Sequence, residues 1–241
     1  MQHVIPEFVP QQLEAIGVVV TDDQLQQLAS YLHIMLQTNK QFNLTAIKEP
    51  DEAWKRHIVD SLTLVPGLIE WPAHTTLIDV GTGGGLPGIP IAIVLPHLKV
   101  TLLETTGKKA KFCQQVSETI GLKNIVVINN RAETLGQNKL YREKFDIAVS
   151  RAVGPMRVLL EYMLPLVKVG GWMYALKGPA LEQELEDAGD ALAMLGAGEI
   201  VAVEAYPENF DNHSVVVGVE KADHTPKEYP RLPGMPKQQP L

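Results

Sequence analysis

Residues 77–90 read LIDVGTGGGLPGIP, an apolar run that ends in Asp79 and then passes five glycines and two prolines. A strand, a glycine turn and a helix start make a ligand-binding corner, and the residues inside the corner discriminate between ligands. A phosphate-cradling loop needs Lys and then Ser or Thr after its closing glycine, whereas Gly88 is followed by Ile89 and Pro90. That possibility fails. The dinucleotide pattern G-x-G-x-x-G is met by Gly83, Gly85 and Gly88, with Glu104 where a ribose-binding acid belongs. Against it, Asp79 and Gly81 open the turn two residues earlier, and Pro87 and Pro90 restrict backbone that would have to hug a pyrophosphate.

Asp79 is the deciding residue. Beside a pyrophosphate it would be a like charge in a partly desolvated crevice, a penalty on the order of several kcal/mol at an effective dielectric of about 20. Beside a cation it is an asset. S-adenosylmethionine carries an ammonium and a sulfonium, its carboxylate suits backbone N–H groups, and Glu104 can take both ribose hydroxyls. The turn therefore reads as D-x-G-x-G-x-G (Asp79, Gly81, Gly83, Gly85) for a cationic methyl donor. Two alternatives stay open: a NAD-type oxidoreductase, and a tight strand-to-helix turn in which Asp79 only caps the helix.

Around the turn, short β-rich runs alternate with helical stretches, the pattern of a mostly parallel sheet built from βα units. Seven strands are expected: TLIDV, VTLLE, NIVVIN, FDIAVS, WMYALK, EIVAVEAY and HSVVVGV. Only PENFDN separates the last two, too short for a crossover helix, so the final strand should run antiparallel. The fold class is thus α/β, Rossmann-like and seven-stranded. Upstream, Thr21 and Gln24 form a capping box before an amphipathic helix, and Trp54, Ile58, Leu62 and Val65 make a second helical stripe. Three segments follow: a helical extension over 1–72, a methyltransferase domain over 73–220, and a Pro-rich tail over 221–241, expected to be extended or mobile.

Ligands in open α/β sheets collect outside the carboxyl ends of the strands. After the third strand, Ala132 and Glu133 can flank an adenine, with the backbone or Glu133 reading its exocyclic amine; a plain helix-start acid is the alternative for Glu133. After the fourth, Arg151 can hold the donor's carboxylate or an RNA phosphate, or form a surface salt bridge. After the fifth, Lys177 is a candidate cation or a solvated helix-start lysine. The lone Cys113 sits in a helical run and reads as a packing residue, which argues against pyrimidine C5 chemistry. SRAVGPM replaces the Asn/Asp-Pro-Pro-aromatic turn of exocyclic-amine methyltransferases. Guanine N7 offers a lone pair and has no proton to lose, so it needs alignment and no general base.

At 241 residues and 45% apolar content the chain suits one globular domain with an extension. A signal sequence, a membrane span and metal-ligand spacing are all missing from the pattern, so a cytoplasmic, metal-free monomer is expected. The net charge of −7 argues against binding nucleic acid by bulk electrostatics. Local patches remain, in Lys108, Lys109 and Lys111 and in the tail cations Lys221, Lys227, Arg231 and Lys237.

FNLTAI, RHIVDSL, DVGTGGGLPGIP, FDIAVSRAV, ALKG and YPRLPGMPKQQPL occur here in the order that marks the RsmG (GidB) family, and the chain resembles that family over nearly its whole length. The resemblance implies a bacterial 16S rRNA guanine-N7 methyltransferase that uses S-adenosylmethionine and acts on the 530 loop of the small ribosomal subunit. It further implies that Gly81, Leu86, Ala132, Glu133 and Arg151 bind the donor, and that Asn43, His57, Asp60 and Ser61 lie over its methyl side. One departure is LLETTGKKAKF, where many members have Asp-Ser-x-x-Lys-Arg. Methylation of a small molecule or a protein is the remaining alternative.

Overall fold

A computed structural model describes residues 3–207, 210 and 213–241. The extension contributes α1 (Phe8–Ala15), α2 (Asp22–Asn39), and a rod made of α3 (Pro50–Ala53), a π-helical turn (Trp54–Val59) and α4 (Asp60–Leu62). The α/β part follows as β1 (Thr76–Val80), α5 (Gly88–Val94), β2 (Lys99–Glu104), α6 (Gly107–Thr119), β3 (Ile125–Asn129), α7 (Ala132–Gln137), β4 (Phe145–Arg151), α8 (Met156–Met163) and β5 (Val167–Lys177). It closes with α9 (Leu181–Glu186), α10 (Gly189–Met194), β6 (Ala197–Glu204), β7 (Val215–Lys221) and α11 (Met235–Gln238).

The seven strands lie in the order β3-β2-β1-β4-β5-β7-β6, and β7 alone runs antiparallel to its neighbours. Each run expected from the sequence became a strand. The connection PENFDN falls mainly outside the described residues. Alternation along β1 places Leu77 and Asp79 on the face covered by α2 and α5, and Ile78 and Val80 on the face covered by α7 and α8. The deciding acid therefore points at the start of α5.

The extension is fastened to that corner by side-chain amides and a hydroxyl. Gln24 closes the capping box with Thr21 and also donates to the Ile93 and Val94 carbonyls at 3.1 and 3.0 Å, satisfying acceptors at the end of α5. The fully buried Tyr31 donates to the Gly84 carbonyl at 2.8 Å, so α2 holds the glycine turn from outside. The second stripe is buried as expected, but the rod is not regular. Its π turn is wider than an α turn, and the rod buries His57 of that turn with Asp60 and Ser61 of α4 as well.

The tail differs from the extended segment that its composition suggests. Arg142 donates to the carbonyls of Thr225, Pro226 and Tyr229, and Arg231 makes a forked pair with Glu161, which is completely buried. Prolines that fix φ lower the entropy lost on docking, and each guanidinium satisfies several acceptors at once. Lys221 is buried too, donating to the Leu195 carbonyl and to Thr225. Burial pulls its pKa down to about 8. Two of the four tail cations are therefore spent inside the protein.

Tyr31→Phe leaves the Gly84 carbonyl without its donor at a site closed to water. We expect a loss of about 1–2 kcal/mol in urea unfolding, with the secondary-structure spectrum unchanged.

Candidate active site

β1 ends in a carboxylate that the fold holds by one oxygen only. Asp79 Oδ2 accepts from Thr82 Oγ1 at 2.5 Å and from the Gly88 N–H at 2.8 Å, while Oδ1 is buried without a partner. Asp79 does cap α5, as the plainer alternative held, but that uses half of the group. Burial pushes its pKa up to about 7 despite those two bonds. Gly88 permits the close approach: a Cβ there would stand 2.3 Å from Leu102 Cδ2 and 2.8 Å from Asp79 Oδ2. Gly81 turns the chain at φ +76°, where a Cβ would meet Val153 Cγ2 at 2.8 Å.

Glu104, at the end of β2, faces the same turn. Its Oε2 accepts from the Gly83 N–H at 2.8 Å and its Oε1 from the Thr106 N–H at 2.7 Å. Cys113 lies under the turn, fully buried, and donates to the Gly83 carbonyl. Burial raises its thiol pKa, which makes it a packing group and no nucleophile. Leu86 and Ala132 are buried at the adjoining corners, and Glu133 accepts the Gly234 N–H at 2.7 Å.

At the end of β4 the extension meets the sheet. Arg151 donates to the Arg56 carbonyl and to His57 Nδ1 (3.3 Å), and its Nη1 lies 3.8 Å from Asp60 Oδ2. Arginine can only donate, so Nδ1 is the accepting nitrogen of His57 and Nε2–H donates to Thr45 Oγ1 at 2.7 Å. Burial and then the Arg151 charge lower the His57 pKa to about 4, so the ring is neutral at ordinary pH. Asp60 also accepts from Tyr206. Ala152, next to Arg151, adopts φ +55°, a strained conformation for an L-residue of the kind that marks functional turns.

His57, Asp60 and Arg151 are thus brought together, 94 residues apart in sequence between His57 and Arg151. Ser61 is not part of the constellation; its hydroxyl donates to the His57 carbonyl within the helix. Asn43 is exposed and lines a separate cleft with Lys40, Lys48 and Trp54. Its neighbour Thr45 reaches His57 instead, held by Asn39, whose Oδ1 accepts the Thr45 N–H at 3.0 Å. Lys177 is no solvated lysine: it pairs with Glu184 at 2.5 Å and donates to the Gly154 carbonyl. Asp60, Arg151, Lys177, Glu184 and Ser214 line a cavity of about 310 Å³ at the ends of β4 and β5.

A family model described as GidB, rRNA small subunit methyltransferase G, matches residues 24–212. The chain belongs to the GidB family. A ribosomal RNA small subunit methyltransferase G of Leuconostoc citreum is 43% identical over 227 residues, 93% of this chain and 94% of the relative. One from Alkaliphilus metalliredigens is 41% identical and covers 95% of each chain. Among solved structures, a predicted O-methyltransferase of Agrobacterium tumefaciens aligns with a TM-score of 0.55 at 19% identity, over 68% of this chain and 81% of that one. The CMeT domain of the citrinin polyketide synthase aligns at 0.56 with 9% identity, over 82% and 66%. These likenesses show the Rossmann-like methyltransferase fold. Among the described residues no helix is long and apolar enough to cross a membrane.

Within the GidB chain, Thr45, Tyr206 and Tyr31 are the site-supporting residues that pattern reading missed. Within FNLT it is Thr45 of this loop, two residues after Asn43, that contacts His57. Nothing local marks Tyr206, which meets Asp60 across 146 residues.

The raised Asp79 pKa makes a signed prediction. The folded state holds the proton between the ordinary carboxylate range and about pH 7, so this group costs most stability above pH 7 and least in acid. Asp79→Asn is therefore expected to unfold at higher urea than the parent at pH 8. The gain should shrink steadily toward pH 5. A gain independent of pH would show that the carboxylate's charge is not what strains the fold.

Proposed function

We propose that this cytoplasmic GidB-family chain transfers the methyl group of S-adenosylmethionine to N7 of a guanine in the 16S rRNA of the small ribosomal subunit. The observation that carries the donor half is Asp79, a buried carboxylate with one oxygen unpaired beneath a glycine turn. Such an oxygen suits a ligand bearing positive charge and opposes a pyrophosphate. Glu104, pinned by two backbone N–H groups at the end of the neighbouring strand, suits ribose hydroxyls. Ala132 and Glu133 suit the adenine, Leu86 covers it from the glycine side, and Gly81 and Gly83 leave room for the ligand at the turn. When bound, the donor supplies an electrophilic methyl on a sulfonium.

The acceptor half rests on what the second cavity lacks. Its charged side chains are committed to one another or to the backbone: Asp60 to Tyr206 and Arg151, Glu184 to Lys177 and to the Met156 N–H. Both nitrogens of neutral His57 are engaged as well. Among the described residues no base is poised to take a proton, which fits an acceptor that has none to give. The N7 lone pair forms the new bond to the methyl carbon as the carbon–sulfur bond breaks, and the electron pair leaves with sulfur. The positive charge passes from sulfur to the purine, and no proton moves. Asp60, close to that cavity, is placed to favour the cationic product; Arg151 holds His57 and Asp60 in register.

The test is mass spectrometry of small-subunit rRNA incubated with the purified chain and S-adenosylmethionine, using unmethylated subunits and free rRNA. We expect one 7-methylguanosine per 16S molecule. Methyl transfer to protein or to another base position would overturn the acceptor assignment. Calorimetry with S-adenosylhomocysteine tests the donor half independently: affinity should climb as pH rises to about 7 and level off above it, because a protonated Asp79 cannot meet an ammonium. Asp79→Asn should bind at least tenfold more weakly at pH 8 and lose that pH dependence.

A further inference from the structure

Glu133 is 4% exposed at the start of α7, and only one of its oxygens is taken: Oε1 accepts the Gly234 N–H at 2.7 Å. Among the described residues no donor reaches Oε2, and that oxygen is not sealed from solvent. Gly234 itself sits at φ +89°, a conformation glycine enters without strain. Its position is set three residues earlier. The Arg231 backbone N–H and Nε donate to Glu161 Oε1 at 2.8 and 2.9 Å, and Nη2 donates to Oε2 at 2.6 Å. Glu161 has no exposed surface, so this pair is the fixed point of the segment.

Contacts on either side press the same segment onto α7. Gln137 donates to the Lys227 and Pro230 carbonyls at 3.2 and 2.8 Å, and Gly136 leaves no room for a Cβ, which would stand 2.8 Å from Pro230 Cγ. The helix that begins with Ala132 and Glu133 is therefore clamped along its length by the last twenty residues of the chain. A glutamate has three side-chain torsions, and a free one spreads over many directions. A backbone donor on one oxygen fixes the plane of the carboxylate and leaves the other oxygen aimed.

We propose that Gly234, together with the Arg231–Glu161 pair that seats it, positions the Glu133 carboxylate to read the exocyclic amine of the donor's adenine. The C-terminal segment is then a determinant of base specificity at the donor site. This rests on the donor assignment above, and it gives the segment a task other than the RNA contact its lysines suggest. Adenine presents an N–H donor to the fixed oxygen, whereas a 6-oxo purine presents an acceptor that the carboxylate repels. A site built to bond an amine rejects the analogue lacking it far more strongly than a merely snug pocket does.

The experiment compares calorimetric affinities of S-adenosylhomocysteine and S-inosylhomocysteine for the full chain, for Gly234→Pro and for Arg231→Lys. Proline removes the donating N–H and cannot keep φ +89°, while leaving the buried pair intact. Lysine keeps the charge and loses the fork. The parent should prefer the adenosyl ligand by about tenfold to a hundredfold, the range of one hydrogen bond to a charged group. Each variant should bring that ratio below about threefold, mainly by weakening the adenosyl ligand. A large parental ratio preserved in Gly234→Pro overturns the proposal while leaving the adenine assignment standing. A parental ratio near one removes Glu133 from the adenine, and the proposal falls with it. Should Arg231→Lys fail to fold, Gly234→Pro decides alone, since its change is confined to a partly exposed turn.

Discussion

A half-satisfied carboxylate governs the architecture of this protein. Asp79 sits in β1, an interior strand paired with β2 on one side and β4 on the other, and the surrounding turn is built to hold it there. Thr82 and the Gly88 N–H fix one oxygen, and Gly88 must be glycine for the helix start to come so close. The remaining oxygen has no partner among the described residues. Groups left in that condition are costly in the interior and persist where a ligand completes them. The fold accepts local instability at the point where it needs recognition.

The second dependence is on the extension, which does more than cover an apolar face. Tyr31 braces the glycine turn from α2, and the π turn and the start of α4 bring His57 and Asp60 to Arg151. The sheet alone would carry the glycine turn and Arg151 without the His57–Asp60 cluster. A regular α-helix would have kept the stripe of Trp54, Ile58 and Leu62 but would have spread His57, Asp60 and Ser61 differently around the rod. The irregular turn is thus where packing and chemistry are reconciled.

The seven strands, the antiparallel closing strand and the glycine turn behind Asp79 were legible in the sequence because each rests on local periodicity or on a contiguous motif. Asp79, Gly81 and Glu104 lie at strand ends, and strand ends announce themselves. The cluster around Arg151 was only half legible. RHIVDS placed His57 and Asp60 on one helix, yet their partners Thr45 and Tyr206 come from a loop and from beyond β6. No spacing rule connects Asp60 to a residue 146 positions away. The docked tail was hidden for a related reason: proline-rich composition describes the free segment, and the arginines that pin it belong to distant elements. Asn43 shows the limit of motif reading within a single loop, since two residues decide whether a side chain faces solvent or His57.

Charge accounting shapes how such a chain meets RNA. Four cations are already committed within the fold: Arg151 to the His57–Asp60 cluster, Lys177 to Glu184, Arg142 to tail carbonyls, Arg231 to Glu161. Those left on the surface near the donor corner and the extension cleft include Lys40, Lys48, Lys108, Lys111 and Arg131, against a net charge of −7. Few phosphate contacts mean few released counterions, so binding driven by charge alone would be weak and only shallowly dependent on salt. Selectivity then has to come from the shape of a folded loop that presents one base. An acidic surface suits that arrangement, because it discourages lodging on arbitrary RNA while leaving the matched geometry to supply the affinity.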